Sequence, residues 1–420
     1  MEFRGQPFAF DGPAAALEAL RAAVPAGRRP WPVHETALAD ARGRFLGADA
    51  HADRDSPAFD QSVLDGYAVR MAEAKAGDFL PVWGESRIGL APPPMTAGTG
   101  AVRVSTGSAV PEGADAVIGR EHVEEALDGA ASGGIRLRAS ALIGLQCGGN
   151  IRRRGENLRA GAPVLTAGAW LGAAQVGALA SIGRHAVPVK AAVRVHLLAT
   201  GEELVDCRDD PGPFGTRDSN GPTVGAILCS RSWIHLERSL RIRGEPAEID
   251  ASILQAGLHA HALVVTGGAS MGHRDPVRAA VERAGARIVF HGLPQRPGKP
   301  TLAAVLDRPD GPPLLVLGLP GNPLSAAVTA ERLAVPALAG LCEGRLPQPP
   351  LVPMAEDDGR TLPLWWHRLV RIDEAGQARP IDSRSSGDAP SAGGSDGFVE
   401  IPPGARAGPD RPVRFHAWPG

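Results

Sequence analysis

The sequence predicts an α/β multidomain protein, and three observations support this fold class. Residues 261–325 repeat one pattern, in which an apolar run lies beside a turn rich in glycine or proline. Residues 81–138 instead contain short β-like runs separated by Gly and Pro. The length of 420 residues suggests two to four domains. We therefore expect a parallel α/β domain accompanied by smaller domains of other types.

Three apolar runs and their turns predict a ligand site within residues 261–325. The runs are 262–266 before Gly267-Gly268, 301–306 after the turn 296–300, and 314–319 before the turn 320–323. Helical segments follow the first and third runs, over 275–284 and 324–333. Such turns lie at the carboxyl ends of parallel strands, where ligands bind. Because backbone N–H groups at helix starts favour anions, the segment predicts an anion-binding α/β domain.

Further elements extend this domain towards the N-terminus. We predict strands near residues 193, 239, 262, 287, 301 and 314. The strands near 287 and 301 are candidates for a hairpin-like excursion. In the N-terminal region, Asp11-Gly12-Pro13 predicts a helix start with an acidic N-cap and an early proline. A second short helical stretch is expected over 35–41.

Composition argues against several classes of protein. The net charge is −2, so no global field attracts nucleic acid or an anionic membrane. The chain has 53 glycines and 39 prolines without a period, which excludes collagen-like repeats and indicates many turns. Hydrophobic residues make up 43% of the chain, which is enough for a buried core.

Cysteine spacing and the N-terminal segment indicate a compartment. The four cysteines, at positions 147, 207, 229 and 342, form no Cys-x-x-Cys pair. A zinc site or disulfide framework is therefore not expected, and a reducing cytoplasm fits best. Residues 1–30 lack the uninterrupted apolar segment of a signal peptide, and no run of about 20 apolar residues predicts a membrane helix.

Two segments in the N-terminal half carry candidate ligand groups. Residues 56–69 are rich in turn formers and contain Asp60, Asp65 and the only tyrosine, Tyr67. They fit a loop with Asx-turn acids that leads into a strand, and a functional pair of acids is the alternative. In residues 105–113, Thr106 is placed either to bind a ligand oxygen or to cap a hairpin.

Residues 148–157 contain three consecutive arginines, Arg152, Arg153 and Arg154, flanked by glycines. Arginine suits bidentate contacts to phosphate or another oxyanion. The segment therefore predicts a compact cationic site, and a solvated charged turn is the alternative.

After residue 336 the pattern changes to a small, mostly β domain, with strands expected over 364–372, 398–401 and 413–418. The predicted division of the chain is discontinuous. It comprises a helical N-terminal domain (1–50 and 142–187), an inserted β domain (51–141), a three-layer α/β/α domain (188–340) and a C-terminal β domain (341–420).

Eight motifs occur in the order that is typical of one family. They are Phe59-Asp-Gln-Ser-Val-Leu-Asp-Gly-Tyr-Ala-Val69, Ser105-Thr-Gly…Pro111-Glu-Gly-Ala-Asp-Ala-Val117, Asn150-Ile-Arg-Arg-Arg-Gly-Glu156, Thr200-Gly-Glu-Glu-Leu204, Asp218-Ser-Asn220, Thr266-Gly-Gly-Ala-Ser-Met-Gly272, Pro297-Gly-Lys-Pro300 and Gly318-Leu-Pro-Gly-Asn-Pro-Leu-Ser325. Through them the chain resembles the MoeA-type molybdopterin molybdenumtransferases, the family that includes the C-terminal domain of gephyrin. The C-terminal part matches more loosely.

The resemblance implies molybdenum cofactor biosynthesis, with the α/β domain as a molybdopterin-binding domain. The implied substrates are adenylylated molybdopterin and molybdate: the adenylyl group is hydrolysed and released as AMP, and molybdenum is inserted into the dithiolene. An elongated homodimer is implied, with each site between the α/β domain of one subunit and the inserted β domain of the other. A molybdopterin adenylyltransferase and molybdoenzymes are candidate protein partners. Hydrolysis of a phosphoanhydride usually needs Mg²⁺ held by one or two carboxylates.

Matched position by position, the motifs assign roles to particular residues. The implied catalytic residues are Asp65, Glu203, Asp275 and Lys299. The implied substrate-binding residues are Thr106, Arg152, Thr266, Gly267, Gly268, Ser270, Arg296, Pro320, Gly321, Asn322, Pro323 and Ser325. Asp275 and Glu245 are the implied Mg²⁺ ligands. A structural turn or cap is the alternative for each residue.

The chain departs from the family pattern at a few positions. Gly244-Glu245 replaces paired aspartates, His273 and Asn157 stand where acids are usual, and Arg296 replaces a common lysine. Glycine at 244 removes a candidate metal ligand, for which Glu245 could substitute through its longer reach. The main hypothesis is a working transferase, and the alternative is a catalytically weak or inactive paralogue that binds or delivers the pterin cofactor. An adenylyltransferase is disfavoured, because that chemistry needs only the α/β domain.

Overall fold

The computed structural model describes residues 2–3, 6–24, 30–95, 98–127, 133–268, 275–308 and 312–419, which form two compact units. The large unit contains Met1–Ala48, Thr166–Gly177 and His185–Gly420. The small unit contains Asp49–Leu165 and Ala178–Arg184. The finer division into four domains stays a prediction.

A six-stranded sheet, here called the central sheet, is the core of the large unit. In spatial order its strands are Ile234–Ile242, Val193–Thr200, Ala262–Thr266, Leu314–Leu319, Leu302–Leu306 and Arg287–His291. The first four are parallel, and the last two are antiparallel to their neighbours. All six predicted strands and the hairpin-like excursion are confirmed. The apolar runs are continuous because the middle strands are buried on both faces, as parallel sheets require.

Helices cover both faces of the central sheet, which confirms the predicted three-layer arrangement. On one face, Ile253 and Val281 pack with Leu198 and Leu263. On the opposite face, Val195 and Leu197 pack with buried residues of other helices. Among the described residues, the helices of the whole chain are Pro13–Ala23, Ala173–Ser181, Asn220–Cys229, Pro246–His259, Pro276–Arg283, Pro323–Thr329, Val335–Leu341 and Ala389–Gly393, with the π-helical Ala330–Ala334 and the 3-10 turns Leu38–Asp40, Met71–Glu73, Arg120–His122 and Ala139–Leu142.

A second sheet in the large unit, here called the C-terminal sheet, contains the predicted C-terminal strands. In spatial order its strands are Gln295–Arg296, Trp365–Ile372, Gly397–Ile401, Val413–Ala417 and Leu351–Val352, and Ala378–Pro380 also pairs with Trp365–Ile372. Its first strand belongs to the turn 296–300, far from the other strands in sequence. Gln295 pairs with Trp365, and Arg296 pairs with Trp366. The turn 296–300 is therefore joined to this sheet, a connection that the sequence did not predict.

The small unit is built around an antiparallel-rich β-sheet, as the short β-like runs predict. Its six strands, in spatial order, are Val123–Leu127, Gly133–Leu137, Phe79–Ser86, Ala101–Val104, Gly66–Val69 and Ala116–Gly119. Tyr67, Leu80, Ile118 and Ile135 are buried in its core. The remaining strand pairs of the protein are Glu2–Phe3 with Gln6–Pro7, Val33–Ala37 with Ala186–Lys190, Ala50–His51 with Pro163–Leu165, Gln61–Ser62 with Ile151–Arg152, and Leu204–Val205 with Thr216–Arg217.

Two N-terminal predictions are wrong. The stretch 35–41 is helical only in the 3-10 turn Leu38–Asp40: Val33–Ala37 is a strand that pairs with Ala186–Lys190, so tertiary pairing overrides local propensity. The first helix does begin with Pro13, but Gly12 occupies the N-cap position and no side chain caps the helix. The Asp11 carbonyl instead accepts a hydrogen bond from Trp365 Nε1 at 2.8 Å.

One helical stretch among the described residues, Pro323–Leu341, is long and apolar enough to cross a membrane by length and composition alone. However, 72% of its apolar window is buried inside the protein, which is typical of a core helix. All four cysteines are free thiols, and Cys342 is the buried one.

Acid destabilisation should be traceable to His261, just before a central strand. Its Nδ1 accepts a hydrogen bond from the Arg194 backbone at 2.9 Å, and burial lowers its pKa to about 4. This pKa lies below the unfolded value of about 6.5, so between the two values the unfolded chain binds more protons than the folded one. The free energy of unfolding therefore decreases as the pH is lowered through this range. We expect His261→Asn to reduce the loss of unfolding free energy between pH 7 and 5 by about 2 kcal/mol. Denaturant titrations at both pH values measure it; the same variant of exposed His34 should change nothing.

Candidate functional site

Three loops close around Thr200 at the carboxyl edge of the central sheet. A Cβ atom added to Gly267 would lie 2.1 Å from the Thr200 carbonyl oxygen, and one on Gly244 would lie 2.6 Å from Thr200 Oγ1. A Cβ on Gly321 would lie 3.5 Å from Gly267 Cα. The loops after three parallel strands therefore meet near the end of the fourth, at Thr200, with their backbones in close contact. This is the edge at which the sequence predicts ligand binding.

Gly244, where the family pattern has a carboxylate, is required by the backbone of this chain. Its φ is +93°, a left-handed conformation that side chains rarely adopt, and a Cβ there would collide with Thr200. A carboxylate from this loop has to come from Glu245. That side chain is exposed at the N-cap of helix Pro246–His259 and does not cap the helix.

The turn 320–323 is held from the side by Asn220, a residue whose role the sequence analysis missed. Asn220 Nδ2 donates to the Gly321 carbonyl at 2.7 Å. Asn220 Oδ1 and Thr266 Oγ1 are both buried and have no hydrogen-bond partner among the residues that the structure describes. The Asp218-Ser219-Asn220 motif was the available signal, but no role in the site was assigned to its residues. Two unsatisfied polar atoms at this edge suit a ligand that supplies their hydrogen bonds.

Asp275 has two different partners. Its Oδ1 caps helix Pro276–Arg283 by accepting from the Arg278 backbone at 2.8 Å. Its Oδ2 lies 3.3 Å from His291 Nε2, and the Asp275 side chain is 3% exposed. His291 is a second residue that the sequence analysis missed. Asp275 therefore has a structural role as a cap, while its Oδ2 makes no hydrogen bond to any described residue.

In the turn 296–300, here called the cationic turn, the backbone has a conformation at Gly298 that only glycine fits. Gly298 has φ +97°, and a Cβ there would lie 2.4 Å from Thr329 Cγ2. The buried Gln295 and Thr301 side chains both donate to the Gly298 carbonyl, at 2.9 and 2.6 Å. Lys299 is partly buried, with its Nζ 5.6 Å from the Phe8 ring centroid. The turn is thus rigid and presents Lys299 and the exposed Arg296.

The other predicted residues of the large unit differ in exposure. Glu203 is exposed, and its carboxylate folds over Gly201, within 2.7 Å of where a Cβ would stand. Asn322 is exposed at the N-cap of helix Pro323–Thr329, while Pro320 and Ser325 are buried. Ser270 lies outside the described residues, as does His273. The Gly268 backbone packs against the side chains of Val277 and Thr200, where a Cβ atom would lie 2.9 and 3.1 Å from their Cγ2 atoms.

In the small unit, the structure brings Asp65 and Thr106 together. Asp65 Oδ1 accepts from the Thr106 backbone N–H at 2.7 Å and from its hydroxyl at 3.1 Å. These hydrogen bonds, aided by the charges of Arg120 and Arg103, hold the pKa of Asp65 below its usual range. The pair is therefore an exposed carboxylate with a fixed orientation at neutral pH.

The arginine turn is not a site of three free cations, as its sequence suggested. Arg153 pairs with Asp60 at 2.6 Å, and Arg154 Nε pairs with Asp55 at 2.7 Å. Arg152 has only a 3.9 Å approach to Glu156. Carboxylates 93 and 99 residues upstream thus neutralise two of the three charges, and the charge of Arg152 is the least neutralised by the described residues.

Hydrogen bonds place Arg152 near the Asp65 loop. Arg152 pairs with Gln61 across a two-stranded ladder. The neighbouring Ser62 carbonyl accepts from the Gly107 backbone at 2.8 Å. The three predicted residues of the small unit, Asp65, Thr106 and Arg152, therefore lie on loops that are connected to one another.

The candidate metal ligands are oxygen donors that form no complete metal site by themselves. Among the described residues, no group of three or more His, Cys, Asp or Glu side chains is arranged to hold a metal. Within the same residues, Asp275 offers one carboxylate oxygen without a hydrogen bond, and Glu245 offers an exposed carboxylate. Oxygen donors of this kind suit Mg²⁺, which commonly binds through one or two carboxylates plus substrate phosphates.

Known protein families and proteins are similar to this chain in sequence. Residues 13–183 match the MoeA N-terminal region (domain I and II), and residues 196–340 match a probable molybdopterin binding domain. The chain is 33% identical to the molybdopterin molybdenumtransferase of Synechococcus elongatus over 81% of this chain and 83% of that protein. It is 30% identical to that of Bacillus subtilis over 90% and 87%.

The fold is shared with an archaeal protein of solved structure. The molybdopterin biosynthesis moeA protein of Pyrococcus horikoshii OT3 superimposes with a TM-score of 0.75. The match covers 97% of this chain and 99% of that one at 24% identity. With the matched regions and relatives above, it follows that the chain belongs to the MoeA family of molybdopterin molybdenumtransferases.

Proposed function

We propose that this protein inserts molybdenum from molybdate into adenylylated molybdopterin and releases AMP. The observation that carries the proposal is the convergence of the turns 267–268 and 320–323 and Gly244 at one sheet edge, in a chain of this family. A pterin carrying a pyrophosphate needs glycine turns and cations. Molybdate, a tetrahedral oxyanion, needs fixed N–H donors and a lysine or arginine.

The protein's own groups supply binding, orientation and charge compensation. Helices beginning at Asn220, Pro276 and Pro323 turn their N-termini towards this edge, where anions are favoured. Lys299 and Arg296 compensate oxyanion charge, and the rigid backbone around Gly298 keeps them oriented before substrate binds. Water hydrolyses the phosphoanhydride bond: its oxygen bonds to one phosphorus atom, and the bridging oxygen leaves with the other phosphate, which gives AMP and the phosphate of molybdopterin. Mg²⁺, held by Asp275 and Glu245, would stabilise the developing phosphate charge.

The site is proposed to be completed by a second copy of the chain. Asp65, Thr106 and Arg152 lie in the small unit, whereas Asp275 and Lys299 lie in the large unit. We propose that they meet across a homodimer, as the family resemblance implies. The reaction is proposed to occur in the cytoplasm, with adenylyltransferase and molybdoenzymes as exchange partners.

A dimer carrying Asp65→Asn in one subunit and Lys299→Ala in the other tests the shared site. Both homodimeric variants should be inactive. If the site is shared, the mixed dimer has one intact site and should recover about half of wild-type activity. Differently tagged subunits allow its purification. Mixed dimers as inactive as both parents would place the two residues in one subunit's site.

Arg152 should contribute to binding of the phosphate-bearing substrate. Arg152→Ala should raise KM for adenylylated molybdopterin about tenfold, because a charge-assisted hydrogen bond is lost. Arg154→Ala is the matched control, since Arg154 is already paired with Asp55, and should leave KM within about twofold. Equal effects of the two variants would contradict this assignment.

A specific observation supports a second candidate, a catalytically weak or inactive paralogue. Gly244 excludes a carboxylate at its position, and Asp275 is engaged as a helix cap. Such a protein would bind the pterin without releasing AMP.

Reconstitution distinguishes the two functions. Purified protein is incubated with adenylylated molybdopterin, molybdate and Mg²⁺, and both AMP and reactivation of an apo-molybdoenzyme are measured. The transferase predicts both products. Tight pterin binding with neither product would replace it with the binding function.

A further inference from the structure

A buried set of three side chains connects the C-terminal sheet to the cationic turn 296–300. We call Arg332, Glu400 and His367 the buried triad. Glu400 Oε2 lies 3.2 Å from His367 Nε2, and Arg332 NH2 lies 3.1 Å from Glu400 Oε1, with a second contact through Arg332 Nε. The side chains of His367, Glu400 and Arg332 are 0%, 5% and 11% exposed.

The charge state of the triad follows from its surroundings. Burial tends to raise the pKa of Glu400, but the hydrogen bonds from His367 and Arg332 prevail and hold it well below its usual range. Burial lowers the pKa of His367, so its ring is neutral and donates from Nε2 to the Glu400 carboxylate. A buried ion pair gives little net stability compared with apolar packing. A role in fixing the position of neighbouring segments is therefore the better explanation.

One end of the triad touches the cationic turn. His367 directly follows Trp366, which pairs with Arg296 across the C-terminal sheet. The Pro297 carbonyl is near enough to the His367 ring to oppose, in small part, the lowering of its pKa by burial. The ring therefore adjoins the turn 296–300.

The other end of the triad belongs to the helix that begins at the turn 320–323. Arg332 lies in the π-helical segment Ala330–Ala334, which continues helix Pro323–Thr329. One residue before that segment, Thr329 packs against Gly298. The triad therefore connects both turns that face the anion: one through His367 and the other through Arg332.

We propose that Arg332, Glu400 and His367 are positioning residues that hold the turn 296–300 in register with the turn 320–323 and thereby set the affinity for the oxyanion substrate. The inference rests on the proposed function, because it assigns the two turns to molybdate. The triad belongs in part to the C-terminal sheet and touches no substrate, and it sets the positions of the Lys299 and Arg296 side chains.

The test compares two histidines of the same sheet. His367→Leu removes the contact to Glu400 at similar volume. His416→Leu is the matched control, because His416 is partly buried and stacks on Phe398, 4.9 Å between ring centroids. Hydrogen exchange of a peptide spanning 292–302 and KM values for molybdate and for the pterin nucleotide are measured on the full-length protein.

We expect His367→Leu to raise KM for molybdate about tenfold and to speed exchange in the 292–302 peptide about tenfold, with KM for the pterin nucleotide within about twofold. His416→Leu should leave all three near wild type. His367→Gln, whose amide can still donate to Glu400, should restore most of the molybdate affinity. A merely structural role would affect the two histidine sites alike, and that result would overturn the proposal.

Two further outcomes are decisive. If His367→Leu does not fold, Arg332→Lys keeps the charge but loses the two-point contact, and it should raise exchange in the same peptide about threefold; unchanged exchange would overturn the proposal. If the wild-type protein inserts no molybdenum, the proposed function fails, yet the exchange measurement still decides whether the triad holds the turn.

Discussion

Lys299→Ala is expected to lower kcat/KM for molybdenum insertion at least about 100-fold, or about 2.7 kcal/mol of transition-state stabilisation. Lys299 is presented by a turn whose backbone is fixed by Gln295, Thr301 and Gly298 before any ligand binds. Charge placed in advance requires no reorganisation during the reaction, which is why its loss should be costly. Steady-state AMP release measures the effect.

Two variants accompany this measurement. Lys75→Ala removes an exposed lysine of the small unit and should leave kcat/KM unchanged. Lys299→Arg keeps the charge with different geometry and should retain part of the activity. Activity of Lys299→Ala within about threefold of wild type would show that this turn does not bind the reacting oxyanion.

Asp275→Asn is expected to lower kcat about 100-fold or more while costing less than about 1 kcal/mol of stability. Asparagine caps helices as well as aspartate does, so the hydrogen bond from Arg278 is kept. Only the negative charge is lost. The substitution thus separates the structural role of Asp275 from its proposed role as a metal ligand.

Comparison with Asp275→Ala completes the experiment. Alanine removes the cap as well and should cost about 1 kcal/mol more in unfolding free energy, with a similar loss of kcat. Thermal unfolding and AMP release, measured for both variants, distinguish the roles. Full activity in Asp275→Asn would reduce Asp275 to a helix cap and favour the binding paralogue.

The central sheet was predictable from sequence because its strands are continuous apolar runs that end at glycine turns. Burial on both faces produces that pattern directly, as in Ala262–Thr266 and Leu314–Leu319. The antiparallel excursion of the last two strands also follows from the turn 296–300. Local sequence carries these features, so local reasoning recovers them.

The features that local reasoning missed depend on contacts between distant segments. Gln295–Arg296 is a two-residue strand without periodicity, and only the fold shows that it joins the C-terminal sheet. The partners of Arg153 and Arg154, at 60 and 55, are about ninety residues away. Gly244 looked like a lost carboxylate, whereas its φ and its contact with Thr200 show a backbone requirement. His291 lies in no motif, and the motif Asp218-Ser-Asn220 does not indicate that Asn220 contacts Gly321.

The central claim is that the turns 296–300 and 320–323 bind the molybdenum oxyanion. Crystals of the full-length protein soaked with molybdate and AMP, with anomalous diffraction recorded at the molybdenum absorption edge, test it most directly. We expect one anomalous peak within hydrogen-bonding distance of Lys299, Arg296 or the backbone of 320–323, and that peak should be absent in Lys299→Ala. A peak elsewhere in the molecule, with none at this edge of the central sheet, would contradict the account.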